Sequence, residues 1–532
     1  MTATTADPPA HRTREGSSAH RRSTAQVFWW AFAALLALFS AWIVANPLTA
    51  APDEPAHITK AGAVVRGQLV GQVYDDEHPG WGHVDVPAAV GFATQVPNCF
   101  AFQPETTAAC IPDWPEDPAE TIQAVTTAST YNPLYYAIVG LPSLAPGGPE
   151  TVYLMRAVSA VLCALALAWA FAQAATVRRA DWVTLAVLLA MTPMVVYMGS
   201  AINPASLEIC AALALWVGLS ALVRDPDPDR LRSRLAGFAV IASVFVNLRG
   251  LSPLFLAIIA AVVVLSAPWR STWAVLRERA AWPWIALVGV ASALALVWMR
   301  TAGTLESDGR VHHPDLDFWT AVQWSLGDTS VYVSNMIGQF GWVDTNLPVW
   351  VQMTVATTVG ILVVLALAAG SRRERAAILL LALATIVVPV VIHATQAKYL
   401  GIVWQGRYFL PAAVGLPVVA GYVLARTAGT TGRRFSWRAT LLLSTVWAGY
   451  QLIAFGVNVH RYTFGASSGW VTPPAGAWAP PLPVAVLSAL VVLACVALVA
   501  LCLRTANRAA LDDDARGRDD EALPTPVSTP GS

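Results

Sequence analysis

The stretch VFWWAFAALLALFSAWIV at residues 27–44 decides the fold class, because it is a continuous apolar run without a charged residue. A helix of this length and composition can cross the hydrocarbon core of a bilayer. Similar windows recur along the 532 residues, of which 56% are hydrophobic and only 12% are charged. We therefore predict an all-α integral membrane protein. The formal net charge of zero argues against a nucleic-acid partner.

The apolar windows predict a bundle of about twelve transmembrane helices of roughly twenty residues each. The first window is long and no convincing cleavage site follows it, so we expect an uncleaved anchor. A break at residues 247–253 leaves two alternatives for the fifth and sixth windows, namely two full spans or a pair of half-helices or re-entrant segments. The predicted spans are 27–46, 152–175, 182–199, 206–223, 235–248, 252–268, 282–300, 348–369, 376–393, 406–425, 439–457 and 482–503.

Basic residues predict the orientation of this bundle. With the N-terminus inside, 24 of the 33 Lys and Arg residues fall on the cytoplasmic side and 9 on the outer side. The excess of basic residues inside is typical of membrane proteins, so both termini are expected in the cytoplasm. The predicted organisation is a disordered N-terminus at residues 1–25, a membrane domain at 26–505 and a disordered tail at 506–532.

Two outer loops, at residues 48–150 and 301–347, are too long to be simple connectors, and the first must carry its own structure. The first loop holds twelve acidic residues against two basic ones. It also holds Cys99 and Cys110, which would form a disulfide in an oxidising compartment; the alternative is two free thiols. The inner loops are short and basic, so function is expected to face outward.

The first outer loop opens with Ala51-Pro-Asp-Glu-Pro-Ala-His57, which places Asp53 and Glu54 at the membrane surface. A carboxylate that is partly desolvated there gains proton affinity and suits general-base work. The simpler interpretation is that Asp53 caps a helix with a proline in its first turn, and the two roles are compatible. Helical spacing would bring the ring of His57 alongside either carboxylate.

Three cations on the outer side predict a site for an anionic headgroup. Arg407 lies in Gln405-Gly-Arg-Tyr408, at the outer end of the tenth span. Its planar guanidinium can bind a phosphate through two parallel hydrogen bonds; the alternative is that it extends into the headgroup layer. Lys398 lies shortly upstream, and Arg249 lies at a similar predicted depth between the fifth and sixth spans.

Other polar residues give weaker signals. Asp344 either lines a cavity or ends a turn before Pro348. Glu208 is a candidate buried acid, although its position is explained equally well if its side chain extends to the membrane interface. His312, His313, Asp315 and Asp317 are metal-compatible residue types in no recognised metal motif, so a solvated loop is favoured and the metal stays unknown. The sequence contains no P-loop and no dinucleotide-binding fingerprint, so an activated donor must be bound in another way.

Four short motifs together resemble a known family. They are Pro52-Asp-Glu-Pro-x-His57, Tyr131-Asn-Pro-Leu-Tyr-Tyr136, Phe340-Gly-Trp-Val-Asp344 and Gln405-Gly-Arg-Tyr408. The chain resembles a family of uncharacterised bacterial multi-pass membrane proteins, a domain of unknown function that is grouped with the GT-C glycosyltransferases. The resemblance covers most of residues 27–460. It implies a GT-C-like helical bundle whose acidic first loop faces a cavity at membrane level.

The resemblance also implies an activity. The donor would be a polyprenyl-phosphate sugar, and the acceptor an envelope glycan or protein at the bacterial plasma membrane. Asp53 would be the base, Glu54 its helper or alternative, and Arg407 would stabilise the departing phosphate. In some members of that superfamily the acidic motif also helps bind a divalent metal, so Mg²⁺ or Mn²⁺ is the cofactor that the resemblance allows. One departure is that no large soluble domain follows the last span.

Two other functions compete with sugar transfer. One is a transporter or flippase of lipid-linked glycans, and the other is a non-catalytic subunit of an envelope assembly. Transporters place ionisable residues near the middle of the bilayer, whereas here the polar residues are gathered on one outer face, which favours an enzyme. An Asp53→Asn substitution separates the three, because only an enzyme should lose turnover while keeping its fold.

Overall fold

The computed structural model describes residues 12–75, 77–78, 80–304, 310–427, 433–469 and 476–521. The outermost parts of the two predicted disordered termini, residues 1–11 and 522–532, lie outside the described residues. The remaining parts of those termini belong to helices, because the first helix begins at Arg12 and the last ends at Glu521.

Helices make up most of the described chain. They are α1 (Arg12–Ala45), α2 (Glu54–Val64), α3 (Ala88–Gly91), α4 (Leu134–Val139), α5 (Glu150–Ala174), α6 (Ala180–Ala190), α7 (Pro193–Gly199), α8 (Pro204–Arg224), α9 (Leu231–Phe245), α10 (Ser252–Ser266), α11 (Trp269–Arg277), α12 (Trp282–Thr301), α13 (Phe318–Gly327), α14 (Thr329–Gly338), α15 (Val349–Ala369), α16 (Arg372–Leu400), α17 (Leu410–Ala413), α18 (Gly415–Thr427), α19 (Arg433–Phe464) and α20 (Val484–Glu521).

Within the described residues, nine helices are long and apolar enough to cross a membrane, and a tenth span is possible if α6 and α7 are counted together across their 70° bend. The predicted number of twelve is therefore not confirmed. The windows at 235–248 and 252–268 form α9 and α10, which have 15 residues each. At 1.5 Å per residue each is about 22 Å long, less than a typical hydrocarbon core of about 30 Å.

Helix α8 lies at the centre of the bundle. It packs against α5, α9, α10 and α18, while α1 packs against α5 and α20. The apolar window of α8 is 94% buried within the protein, whereas that of α12 is only 17% buried. Helix α12 is therefore peripheral and its apolar side chains are available to lipid, whereas a charged residue on α8 must find its partner inside the protein.

Residues 48–150 form a small domain at one end of the bundle. We call this end of the bundle the loop face. The domain contains a three-stranded antiparallel sheet of β1 (Gln72–Val73), β2 (Gly82–Pro87) and β3 (Thr121–Thr126) in the order β1-β2-β3. Strand β2 pairs with β3 from Gly82 opposite Thr126 to Pro87 opposite Thr121. Helix α2 packs on both of these strands and on α4. Residues 48–150 thus contain a small sheet that the sequence did not predict.

Two further features lie near the same face. Cys99 and Cys110, which were predicted to pair, are joined by a disulfide bond. A two-stranded hairpin of β4 (Gln339–Phe340) and β5 (Thr345–Asn346) follows α14. The guanidinium of Arg461, at the end of α19, donates to the backbone oxygens of Phe100, Gln103 and Thr106, so it ties the disulfide loop to the bundle.

Candidate functional site

Asp53 occupies the N-cap position of α2 but does not cap the helix. Its backbone is left-handed, with φ of 63°, and its side chain accepts no hydrogen bond from the first turn of the helix. A positive φ is uncommon for a residue other than glycine, and aspartate tolerates it better than most. Pro55 lies in the first turn of the helix, as predicted. Because the carboxylate does not cap the helix, it is available to contact other groups at the loop face.

The Asp53 carboxylate meets Arg407 instead. Nη2 of Arg407 donates to Oδ2 of Asp53 over 2.8 Å, and the Asp53 side chain is 47% exposed whereas that of Arg407 is only 4% exposed. The other guanidinium nitrogens of Arg407, Nε and Nη1, are buried and have no hydrogen-bond partner among the described residues. Buried donors without partners are costly, so this guanidinium is well suited to an anionic ligand with several oxygen atoms.

The backbone just before Arg407 is held by a close approach. Arg407 lies in a 3-10 turn, Gly406–Phe409, that leads into α17. A Cβ atom on Gly406 would lie 1.9 Å from the carbonyl oxygen of Tyr332, so only glycine fits there. The Gly406 amide donates to Oδ1 of Asn335 over 2.9 Å. Helix α14 therefore holds the turn that presents Arg407.

Arg249 is the second cation of the site and lies between α9 and α10. Its Nη1 donates to Oε2 of Glu208 over 3.2 Å, and the Ser252 hydroxyl donates to the other oxygen of that carboxylate over 2.6 Å. Glu208 is fully buried on α8, so Arg249 is the internal partner that its position requires. The guanidinium carbons of Arg249 and Arg407 each lie 5.2 Å from the centre of the Tyr408 ring, within cation–π range.

These residues surround one cavity with a volume of about 130 Å³. That volume holds several water molecules and is sufficient for a phosphate-sized group. One carboxylate and two guanidinium groups give the lining a net positive charge. The lining residues are Asp53, His57, Thr127, Ala128, Tyr131, Asn203, Ala205, Arg249, Arg407 and Tyr408.

His57 lines the same cavity, but its ring is not paired with a carboxylate as the sequence suggested. Its Nδ1 lies 2.8 Å from the hydroxyl oxygen of Tyr136, and its ring contacts that of Tyr131 edge-on. Burial lowers the pKa of His57 from about 6.5 to about 3. The imidazole is therefore neutral at physiological pH and does not add to the positive charge.

Glu54 is not among the residues that line the cavity, which argues against its predicted part in the chemistry. Its two carboxylate oxygens accept hydrogen bonds from Nε and Nη2 of Arg156 over 2.8 Å and 2.6 Å, and both side chains are fully buried. The amide of Ile202 donates to the same carboxylate. Arg156 also donates to the backbone oxygens that follow α1, at Asn46 and Pro47. The adjacent acids thus have different surroundings.

Three other predicted residues do not line the cavity either. Lys398 is exposed, and its ammonium lies over the ring of Tyr399. The side chain of Asp344 is buried in an ion pair with Arg461 at 3.1 Å. Gln405 accepts a backbone hydrogen bond from Tyr408 and is only a neighbour of the site.

Sequence reasoning missed several lining residues and one supporting residue. Thr127 and Ala128 follow β3, so their position depends on a sheet that was not predicted. Tyr131 opens a motif that was noticed without being assigned to the site. Arg156 lies in an apolar helix, where a cation requires an anionic partner, and this signal could have pointed to Glu54.

The described residues do not form a ligand set for Mg²⁺ or Mn²⁺. Asp53 is the one acidic residue in the lining, and the described parts of the chain contain no group of three or more His, Cys, Asp or Glu side chains that could hold a metal ion. Divalent cations of this kind prefer several oxygen ligands. We therefore derive no step through a metal.

A profile of predicted membrane proteins, DUF2142, matches residues 36–416. The chain belongs to this family. The matched range begins in α1 and ends in α18, so it includes every residue that lines the cavity. No curated protein and no solved structure matches the chain significantly.

Proposed function

We propose that this DUF2142 protein is a membrane glycosyltransferase that moves a sugar from a polyprenyl-phosphate donor to an envelope acceptor. The observation that supports the proposal best is the pair of Asp53 and Arg407 at one cavity, where two buried donors of Arg407 have no partner among the described residues. A base and an anion-binding cation side by side are what such a transfer needs.

In the proposed reaction the acceptor hydroxyl attacks the anomeric carbon of the donor sugar. Asp53 takes the hydroxyl proton while the new bond between carbon and oxygen forms. The bond between the anomeric carbon and the phosphate oxygen breaks, and the polyprenyl phosphate leaves with the electron pair. One displacement without a covalent enzyme intermediate inverts the anomeric centre. The products are the glycosylated acceptor, the lipid phosphate and a protonated Asp53, which returns its proton to solvent.

Arg407 links the two halves of this reaction. It pairs with Asp53, whose Oδ1 accepts no hydrogen bond within the described chain. A bound phosphate would engage Nε and Nη1 of Arg407, and negative charge that develops on the leaving phosphate would strengthen those hydrogen bonds. Arg249 supplies a second positive charge to the cavity, and Glu208 and Ser252 hold it in place.

The location of the site fits transfer outside the cytoplasm. The cavity lies at the loop face, and the excess of Lys and Arg belongs to the opposite face of the predicted topology. We therefore propose a bacterial plasma-membrane protein with both termini in the cytoplasm and an extracytoplasmic active face. The partners would be the lipid-linked donor and an envelope glycan or protein.

The experiment that tests this function is sugar transfer in membranes that contain the protein. Labelled polyprenyl-phosphate sugars are supplied to the wild type and to Asp53→Asn at equal expression. Transfer by the wild type that is lost in the variant supports a glycosyltransferase with Asp53 as base. Equal transfer by both would overturn the role of Asp53. No transfer from any donor, together with donor movement across the bilayer, would favour a flippase instead.

A further inference from the structure

His57 lines the cavity through one edge of its ring and contacts the protein core through the other. Its Nδ1 lies 2.8 Å from the hydroxyl oxygen of Tyr136, which is fully buried and does not line the cavity. Its Nε2 has no hydrogen-bond partner in the described parts of the chain. The ring therefore presents Nε2, and not Nδ1, to whatever occupies the cavity.

The contact with Tyr136 determines which nitrogen carries the proton. The Tyr136 hydroxyl has no other acceptor among the described side chains and backbone groups, and a buried hydroxyl that donates to nothing is costly. Tyr136 therefore donates to Nδ1, which must then be the unprotonated nitrogen. In a neutral imidazole the proton lies on the other nitrogen. Nε2 is thus an N–H donor at the cavity.

The surroundings of His57 keep this donor uncharged. The charged groups that face it are the carboxylate of Asp53 and the guanidinium groups of Arg249 and Arg407, and its other ring neighbours are Tyr131 and Tyr136. Burial is the main reason that the pKa of the ring is lowered; the Asp53 carboxylate opposes it and the two guanidinium groups add to it. The same two cations are the stronger ligands for a phosphate, because hydrogen bonds from charged donors are about twice as strong as those between neutral groups. We therefore expect the neutral Nε2–H of His57 to donate to a hydroxyl oxygen of the ligand and not to its phosphate.

We propose that His57 is a sugar-recognition residue, whose Nε2–H donates to a hydroxyl of the sugar bound beside Asp53, and that Tyr136 fixes the required tautomer. This proposal rests on the proposed function and identifies the sugar as the part of the donor that His57 recognises. It differs from a base or an acid role for His57, because the ring neither gains nor loses a proton.

A spectroscopic experiment tests the tautomer without requiring turnover. The full-length protein with ¹⁵N-labelled histidine is studied in nanodiscs at neutral pH, and the His57 signals are assigned by their loss in His57→Gln. We expect a neutral ring that is protonated on Nε2, and partial conversion to the other tautomer in Tyr136→Phe. An imidazolium, or a wild-type ring protonated on Nδ1, would overturn the proposal.

Ligand titrations of the same sample test the contact with sugar. The probes are farnesyl phosphate linked to mannose, glucose or arabinose, compared with farnesyl phosphate alone. At least one linked sugar should shift the Nε2–H signal, whereas the unlinked phosphate should not. Equal shifts with both kinds of probe, or no shift with any of them at saturation, would contradict a sugar contact. A shift with the sugar but no transfer in membranes would keep this inference and reject the glycosyltransferase.

Matched variants provide a functional readout. The amide nitrogen of glutamine can lie near the position of Nε2, whereas that of asparagine lies near Nδ1. His57→Gln should therefore retain most of the affinity for the linked sugar, and His57→Asn should lose about three- to tenfold, the effect of one neutral hydrogen bond. Both variants should bind farnesyl phosphate alone as the wild type does. The reverse order of the two variants would overturn the proposal.

Discussion

Arg407 donates a hydrogen bond of 2.8 Å to Asp53, which joins two residues that are 354 positions apart in the chain. The pair connects the start of the loop domain with the turn that precedes α17 and α18. Neither residue satisfies the other completely, because two donors of Arg407 have no partner in the part of the chain that the structure describes, and about half of the Asp53 side chain is exposed. The contact is therefore one that a ligand can rearrange.

Arg407→Lys should weaken the binding of polyprenyl phosphate about tenfold or more. Lysine keeps the positive charge but lacks the planar fork that can donate two parallel hydrogen bonds to phosphate. Binding can be measured in nanodiscs by titration with a short-chain polyprenyl phosphate. Arg375→Lys is the matched control, because that arginine is exposed and lies away from the cavity. Equal affinities for the wild type and both variants would contradict a phosphate site at Arg407.

Glu54→Gln should reduce the free energy of unfolding by about 3–5 kcal/mol, because it leaves the fully buried Arg156 without its anionic partner. Asp53→Asn should change it much less, since that carboxylate is half exposed. Thermal unfolding of the two variants in detergent makes the comparison. A Glu54→Gln protein as stable as the wild type but inactive in transfer would instead restore Glu54 as a catalytic residue.

The neutral state of His57 predicts a pH dependence of stability. Its pKa is about 3 in the folded protein and about 6.5 when unfolded, so below pH 6.5 the unfolded chain binds a proton that the folded protein excludes. The wild type should therefore lose about 1.4 kcal/mol per pH unit relative to His57→Gln as the pH falls from 6.5 toward 3. Unfolding of both proteins at several pH values measures this difference. A difference that does not change with pH would contradict a buried neutral His57.

The disulfide provides a test of orientation and of local stability. Removal of the Cys99–Cys110 bond, which closes a loop with a sequence separation of 11, should cost about 3 kcal/mol if loop entropy dominates.

In a Cys110→Ser variant, an impermeant maleimide should label Cys99 in intact cells. A cysteine introduced at Ser17 should be labelled only after the membrane is opened. Labelling of Ser17→Cys in intact cells would contradict the proposed topology.

The sequence predicted the helical membrane class and the pairing of two cysteines, because each depends on composition or local spacing. It left two alternatives open for the windows that form α9 and α10, since apolar windows do not indicate how a break shortens the helices beside it. These two helices of 15 residues bring Arg249 to its partner Glu208, which local periodicity cannot reveal.

The candidate site was only partly predictable for a similar reason. Asp53 and Arg407 were selected one by one from their motifs, but their contact depends on a fold that brings distant residues together. The adjacent acids Asp53 and Glu54 could not be told apart by sequence, because the left-handed backbone at Asp53 is what turns the two side chains to different surroundings.

The most direct test of the central claim measures donor binding and sugar transfer on one preparation of Asp53→Asn. We predict that asparagine leaves the affinity for the polyprenyl-phosphate sugar within about threefold of the wild type, because Arg249 and Arg407 remain. We also predict that the rate of transfer at saturating donor falls by about a hundredfold or more, as expected for the loss of a general base. Transfer at the wild-type rate with donor bound would contradict the account.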